Sequence, residues 1–231
     1  MRTVARQAKD WARINYQPSI AELVPLPVLE HVRSGSTVLD VGTNKGGNAL
    51  FLAGHGFKVL GIDINRAAIE TAKMRAQEAK LTESADFRVA DILEEPLMDL
   101  FDVVLLIRVL TCFPEYSDWR AVLGRIKMLV KPQGYLYVHD FLFSRENEAY
   151  RARYEAGARR GWRAGNFQVN DAEGKFLFIA HHHLAEEVAS IMAECESLHF
   201  SSHESVSMNG NRCQMFEFLG RRAIADDIRR R

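Results

Sequence analysis

Val38-Leu39-Asp40-Val41-Gly42-Thr43-Asn44-Lys45-Gly46-Gly47 is the stretch on which the fold turns. A short β-branched run enters a glycine-rich turn, and Ala49 to Ala53 continue as helix. Glycine lets the backbone turn tightly and approach a ligand with no Cβ in the way. Downstream, Lys58-Val59-Leu60-Gly61-Ile62 reads as a second strand. Asn65 is placed to cap a helix whose Ala68, Ile69, Ala72, Ala76 and Ala79 keep helical spacing. Phe87-Arg88-Val89 predicts a short third strand. Phe101 to Ile107, apolar throughout after Asp102, predicts a fourth that is buried on both faces. Ser117 is placed to cap a helix with Trp119, Val122, Leu123, Ile126, Leu129 and Val130 on one face. Lys131-Pro132-Gln133-Gly134 reads as a stop and a turn, and Tyr135 to Phe141 as a fifth strand. Strands alternating with helices in this way predict a mostly parallel sheet covered on both faces, a doubly wound α/β fold.

The rest of the chain is less regular. Residues 144–165 have helical propensity, with Gly157, Gly161 and Gly165 as breakers. Phe176 to Ala180 reads as a short strand and His183 to Glu194 as a helix. Residues 198–207 and 212–220 read as paired strands around Met208-Asn209-Gly210-Asn211, where Asn-Gly is a strong hairpin signal. With no internal repeat or low-complexity linker, 1–231 reads as one domain, with a helical lid over 1–33 and an insertion near 142–180.

Of the 231 residues, 47% are hydrophobic and 26% charged, which excludes a disordered or collagen-like chain. Lys plus Arg, 30, cancels Asp plus Glu, 30, which argues against retention on nucleic acid by bulk charge. Cys112, Cys195 and Cys213 form no CxxC pair, and this usage fits a reducing cytoplasm. No apolar run approaches the roughly 18 residues that span a bilayer. The basic N-terminus (Arg2, Arg6, Lys9, Arg13) lacks an apolar segment behind it and is not a secretory signal.

Asp63 closes the second strand, where an acidic side chain can accept hydrogen bonds from ribose hydroxyls, and Asp91 closes the third. With Asp40 they set three acids at the carboxyl ends of neighbouring strands, where open α/β sheets bind ligands. A dinucleotide fingerprint would put glycine where Asn44 stands, and no GxxxxGK[ST] occurs. The anion at Asp40 would repel a pyrophosphate but suits a ligand carrying an ammonium and a sulfonium. S-adenosyl-L-methionine is such a ligand.

The same residues resemble the motifs of class I S-adenosylmethionine-dependent methyltransferases of the small-molecule type. Val38 to Gly46 resembles the first motif, Gly61-Ile62-Asp63-Ile64 the second and Val89-Ala90-Asp91-Ile92 the adenine-binding motif. Phe101-Asp102-Val103-Val104 and Leu129 to Gly134 match the fourth and fifth strands, so the likeness runs in order over residues 36–141. It implies a Rossmann-like, seven-stranded sheet with an antiparallel last strand. It also implies that Asp40, Gly42, Asn44 and Gly46 line the methionine and sulfonium side. Asp63 with Ile64 would then hold ribose and adenine, Asp91 with Ile92 the adenine amine, and Ile107 with Arg108 the pocket floor. Asn44 departs from the family's glycine and puts a side chain beside the methionine end.

Methyl transfer asks the protein to align a nucleophile with the S–CH3 bond and to provide a base at most. Candidates on the acceptor side are Arg108, Thr111 and Cys112 after strand four, and His139 and Asp140 at the end of strand five. Arg108 interrupts an apolar run, which points to a paired, purposeful charge. His181-His182-His183 invites a metal, but alternate strand residues face opposite ways and no cysteine or carboxylate cluster is seen to complete a site. No metal is therefore expected, and His182 is assigned as an acceptor-side base, since imidazole titrates near neutrality. Tyr16, with Trp11, is assigned to a lid over the cofactor. Arg145, Arg151, Arg153, Arg159, Arg160 and Arg163 form mostly a solvated face, with Arg153, beside Tyr150 and Tyr154, suited to a substrate carboxylate.

Three functions stay open on the sequence. The first is a methyltransferase for a small-molecule acceptor, with neither nucleic acid nor membrane as partner. The second is a cyclase in which the amine of S-adenosylmethionine attacks its own Cγ, giving azetidine-2-carboxylate and methylthioadenosine. Asn44 and the aromatic insertion (Tyr150, Tyr154, Phe167, Phe176, Phe178) are compatible with it. The third is a non-catalytic module that senses the cofactor, against which the retention of Asp40, Asp63 and Asp91 together argues. Oligomeric state is not legible.

Overall fold

A computed structural model describes residues 24–171, 173–193, 195–207 and 210–223. The chain runs α1 (Leu26–His31), β1 (Thr37–Val41), α2 (Gly47–Gly54), β2 (Lys58–Asp63), α3 (Arg66–Glu78), β3 (Ala85–Val89) and β4 (Phe101–Ile107). It continues through a 3-10 turn (Leu110–Cys112), α4 (Tyr116–Leu129), β5 (Val130–Leu142), α5 (Glu148–Arg159), β6 (Asn166–Asn170), β7 (Phe176–His181), α6 (Ala185–Met192), β8 (Cys195–Val206) and β9 (Arg212–Arg222). Seven strands form one sheet in the order β3-β2-β1-β4-β5-β9-β8, and β6-β7 form a separate pair. β1 to β5 are parallel, while β9 runs antiparallel to both β5 and β8. The chain order reverses between β1 and β4, the crevice where such sheets take ligands.

Period-two alternation sorts the central strands onto two cores. Val38, Val59, Val103, Leu105 and Tyr137 face α1, α2 and α3, while Leu39, Leu60, Ile62, Val104, Leu106 and Val138 face α4 and α6. Trp119 on α4, fully buried, is the largest side chain on that second face. A third cluster joins β5, β9 and the segment between β5 and α6 through Phe141, Tyr150, Tyr154, Phe167, Phe178, Cys213 and Met215.

Several expectations are corrected. The N-cap of α4 is Glu115, with no side-chain hydrogen bond, and Ser117 lies inside the helix. Lys131–Gly134, read as a stop and a turn ahead of the fifth strand, does follow the end of α4 at Leu129 but is not a separate turn. It is a bulge inside β5, where register slips between Phe101 and Val103 and Gln133 takes φ 60°. Gly157 does not break α5: it lies within the helix, and its missing Cβ admits the carbonyl of Asn166, which a Cβ would meet at 2.5 Å. β6 is not foreseen in the sequence. The lid residues Trp11 and Tyr16 lie outside the described residues.

Asp102 secures the bulge and the edge of β1. Its carboxylate accepts from Thr37 N and Thr37 Oγ1, each at 2.8 Å, and from Lys131 Nζ at 2.9 Å. Burial raises its pKa, but these donors outweigh burial and hold it below the ordinary 3.8. The contribution is therefore present above that value and lost as pH falls through the lowered one. Asp102→Ala should cost about 1–2 kcal/mol at neutral pH in urea unfolding, with the gap to wild type narrowing on acidification; equal midpoints at neutral pH would refute the clamp.

Candidate active site

The loop after β1 takes alternate left-handed turns, with φ 70° at Gly42, 50° at Asn44 and 76° at Gly46. Asparagine tolerates this region better than most side chains, which is how Asn44 takes a left-handed turn between two glycines that do the same. Gly42 N and Thr43 N both donate to Ile62 O, at 2.8 and 3.0 Å, which seats the loop on the end of β2. Gly46 then opens α2, its carbonyl accepting from Leu50 N at 2.8 Å. A Cβ on Gly46 would stand 2.8 Å from Phe87 Cζ and 3.0 Å from Ala72 Cβ.

Asp63 ties this loop to the next. One oxygen accepts from Asn44 N at 2.9 Å and the other from Asn65 N at 2.8 Å, while Asn65 Oδ1 caps α3 by accepting from Ala68 N. Burial raises the Asp63 pKa, against these backbone donors. Asp40 lies under the loop, 2% exposed, with Thr43 Oγ1 donating to it at 2.6 Å. Burial, and then the like charge of Asp63, push it up to about 7, opposed by the hydrogen bonds from Thr43 and Ala49. Asp40 thus acts from beneath the loop rather than as an open contact. Ile64, an apolar side chain 38% exposed, stands beside Asp63.

Asp91 follows β3 half-buried, with Oδ1 accepting from Leu93 N at 2.9 Å. Ile92 points its side chain into the core against α4, so only its backbone is left to face a ligand. Ile107 and Arg108 end β4, both half-buried. Arg108 takes φ 56°, uncommon for so long a side chain, and donates its backbone N–H to His139 O at 2.8 Å. Its Nε is buried with no hydrogen-bond partner, and its charge acts on His139 and Cys213.

His182, the expected base, is corrected. It is 2% exposed, stacked on Phe141 at 4.9 Å, flanked by Tyr150 and Phe167, with Nδ1 2.6 Å from Tyr154 Oη. Burial holds its pKa well below 6.5, and the ring is a packing element of the aromatic cluster. The expectation that no carboxylate completes the triple histidine is also corrected, because Glu187 of α6 folds back onto it. His181 Nε2 is 2.8 Å and His183 Nδ1 3.9 Å from Glu187 Oε2. The i,i+4 spacing of His183 and Glu187 was the available signal. The sequence reading also missed Thr43 as the partner of Asp40, and the pairing of Tyr137 with Glu217, whose Oε1 accepts from Tyr137 Oη at 2.5 Å.

A family model for a methyltransferase domain matches residues 32–220. The chain belongs to this methyltransferase family. A solved SAM-dependent methyltransferase from Methanosarcina mazei aligns at TM-score 0.81 and 27% identity, covering 88% of this chain and 99% of that one. Among curated relatives, a 27-O-demethylrifamycin SV methyltransferase from Amycolatopsis mediterranei is 32% identical over 53% of this chain and 43% of its own length. A ubiquinone biosynthesis O-methyltransferase from Paraburkholderia phytofirmans is 29% identical over 58% of this chain and 63% of its own. The chain thus spans less than two thirds of the curated relatives' length. The cofactor of this methyltransferase fold is S-adenosyl-L-methionine.

The geometry fits that group: a glycine loop packed so closely on Phe87, Ala72 and Val109 that no Cβ fits at Gly42 or Gly46, a buried carboxyl below it that a cation would ionise, and an exposed apolar wall at Ile64. Gly46→Ala, at a positive φ with no room for the methyl, should lower stability by about 1–3 kcal/mol and weaken cofactor binding. Unchanged urea unfolding and unchanged calorimetric affinity would show the cradle to be looser than described.

Proposed function

We propose that the chain is an S-adenosylmethionine-dependent methyltransferase acting on a small-molecule acceptor. The observation that carries this reading is the double use of Asp63, which locks the glycine loop beside the β2–α3 turn and builds the cradle before any ligand arrives. The remaining lone pairs of Asp63 are assigned to the ribose hydroxyls, Ile64 to one face of the adenine, and Asp91 with the backbone of Ile92 to the adenine amine. Gly42, Asn44 and Gly46 are assigned to the methionine end. With its pKa near 7, Asp40 is poised between its two forms at neutral pH, and a cation in the cradle favours the ionised one.

The bound cofactor supplies an electrophilic methyl group on a sulfonium. The chain's own share is to align the acceptor and exclude water. Arg108, strained at the end of β4 with a buried Nε unspent, is assigned to orienting an electron-rich acceptor group. Arg153, whose guanidinium lies 5.3 Å from the Tyr150 ring, is assigned to a substrate carboxylate. A small acceptor is supported by a formal net charge of zero and by the aromatic cluster, which packs the 142–180 segment against β5 and β9. Among the described residues no helix is long and apolar enough to cross a membrane. The cysteine usage, three widely spaced residues at 112, 195 and 213 with no CxxC pair, supports a cytoplasmic placement.

Mass spectrometry of purified protein with S-adenosylmethionine, alone and then with cell extract, tests the reading. S-adenosylhomocysteine should form only with extract, alongside a small molecule heavier by one methylene. Methylthioadenosine from the cofactor alone would replace the proposal with a cyclase, and no turnover in extract would replace it with a binding module.

A further inference from the structure

Three ligating side chains outside the cofactor cradle meet in the interior of the molecule. His181 ends β7, His183 lies in the turn that follows, and Glu187 sits in the first turn of α6. One donor atom from each lies within 4.8 Å of the others. His181 and His183 are fully buried and Glu187 is 6% exposed.

Hydrogen bonding decides the state of the first ring. Asn166 Nδ2 donates to Pro114 O at 3.1 Å, which turns Asn166 Oδ1 toward His181 Nδ1 at 2.8 Å. A proline carbonyl can only accept, so the amide orientation is set and His181 Nδ1 must carry the proton. A neutral His181 then presents the bare lone pair of Nε2 to Glu187 Oε2 at 2.8 Å. Two lone pairs at that distance repel unless a proton or a cation lies between them.

His183 separates those two answers. Both of its ring nitrogens are buried without a hydrogen-bond partner, a costly state for an imidazole. Nδ1 is 3.9 Å from the same Glu187 oxygen, and Nε2 is 3.7 Å from Asp140 Oδ2. An added proton on His181 would leave His183 unsatisfied, whereas one cation among the three donors serves all of them.

We propose that His181 Nε2, His183 Nδ1 and Glu187 Oε2 bind a divalent transition-metal ion of the zinc class. Ligand bonds of roughly 2.0–2.1 Å at tetrahedral angles set donors about 3.3 Å apart. The 2.8 Å contact must open and the 3.9 Å contact close, each by roughly half an ångström, and the two imidazole nitrogens, within 4.8 Å of each other, must also take up that spacing. The groups behind the ligands suit this role. Asn166 fixes the tautomer of His181, and Asp140 Oδ2, 3.7 Å from His183 Nε2, is placed to accept from it once the ring moves onto the ion, the carboxylate–histidine–metal arrangement. Arg163 pairs with the other oxygen, Glu187 Oε1, and Leu184 N donates to Oε2 at 2.9 Å. The ligands come from β7, its following turn and α6, and Asp140 comes from β5. The ion would therefore pin the end of β7 to the first turn of α6 beside Asp140 of β5, with a fourth position left for a non-protein ligand.

Untagged protein, stripped with chelator, is titrated with cobalt(II) and then zinc(II). One cobalt per chain with visible d–d absorption, displaced by zinc, is expected, together with a zinc-dependent rise in unfolding temperature that chelator reverses. His183→Asn and Glu187→Gln should abolish stoichiometric binding. Wild-type protein carrying 15N-labelled histidine gives a readout independent of variant folding: zinc should shift one Nε2 and one Nδ1 resonance from two different rings. No retained ion would overturn the site. So would binding that survives His183→Asn but is lost in His203→Asn, which would move the metal to the pair His139 and His203, whose Nε2 atoms are 3.3 Å apart.

Discussion

Asp63 receives the N–H of Asn44 on one oxygen and that of Asn65 on the other, and much else at the carboxyl edge of the sheet follows from that arrangement. The first bond holds the loop after β1 in its alternating left-handed course. The second fixes the residue whose side chain caps α3. Because the chain order reverses at β1, the two loops border the one crevice that the parallel strands leave open. Asp40 sits below with its charge disfavoured by burial, and a cation in the cradle would favour its ionised form.

Away from the cradle, the chain commits its polar residues to the interior. Asp140, fully buried, accepts from Phe141 N and Thr111 N and so couples the ends of β4 and β5, while its remaining capacity faces His183. Glu187 draws Arg163 from the loop after α5 and His181 from β7, and Arg163 in turn lies over the Tyr116 and Trp119 rings of α4. The segment between β5 and α6 is thus held by aromatic packing on one side of β7 and by a charged cluster on the other. His181 and His183 face the cluster, and His182 between them faces the aromatics, the alternation that an extended segment imposes.

The parallel half of the sheet was legible because its signals are local. β-branched runs buried on both faces, an asparagine cap at Asn65 and the glycines of the first loop each act over a few residues, and the structure places them where spacing predicts. Ser117 misled because a hydroxyl near a helix start is only a preference, and here the chain enters α4 from Glu115 with no side-chain cap. β6 was missed although Asn166-Phe167-Gln168-Val169-Asn170 alternates polar and apolar residues, because the run is only five residues long and lies just after a glycine-punctuated helical stretch; its partner is β7. The assignment of His182 failed for a similar reason: imidazole chemistry is set by surroundings, and those are supplied by Phe141, Tyr150 and Phe167 from distant parts of the chain. Asp40 and Asp63 were visible as acids, but their geometry, one beneath the loop and one spanning two loops, was not.

The most direct measurement is a calorimetric titration of S-adenosylmethionine into wild-type protein and into Asp63→Ala, each first shown to be folded by thermal unfolding. Losing buried hydrogen bonds to the ribose and to the loop should cost about 1–3 kcal/mol, a weakening of roughly five- to 150-fold. An affinity for the variant equal to that of wild type would contradict a cofactor cradle held by Asp63.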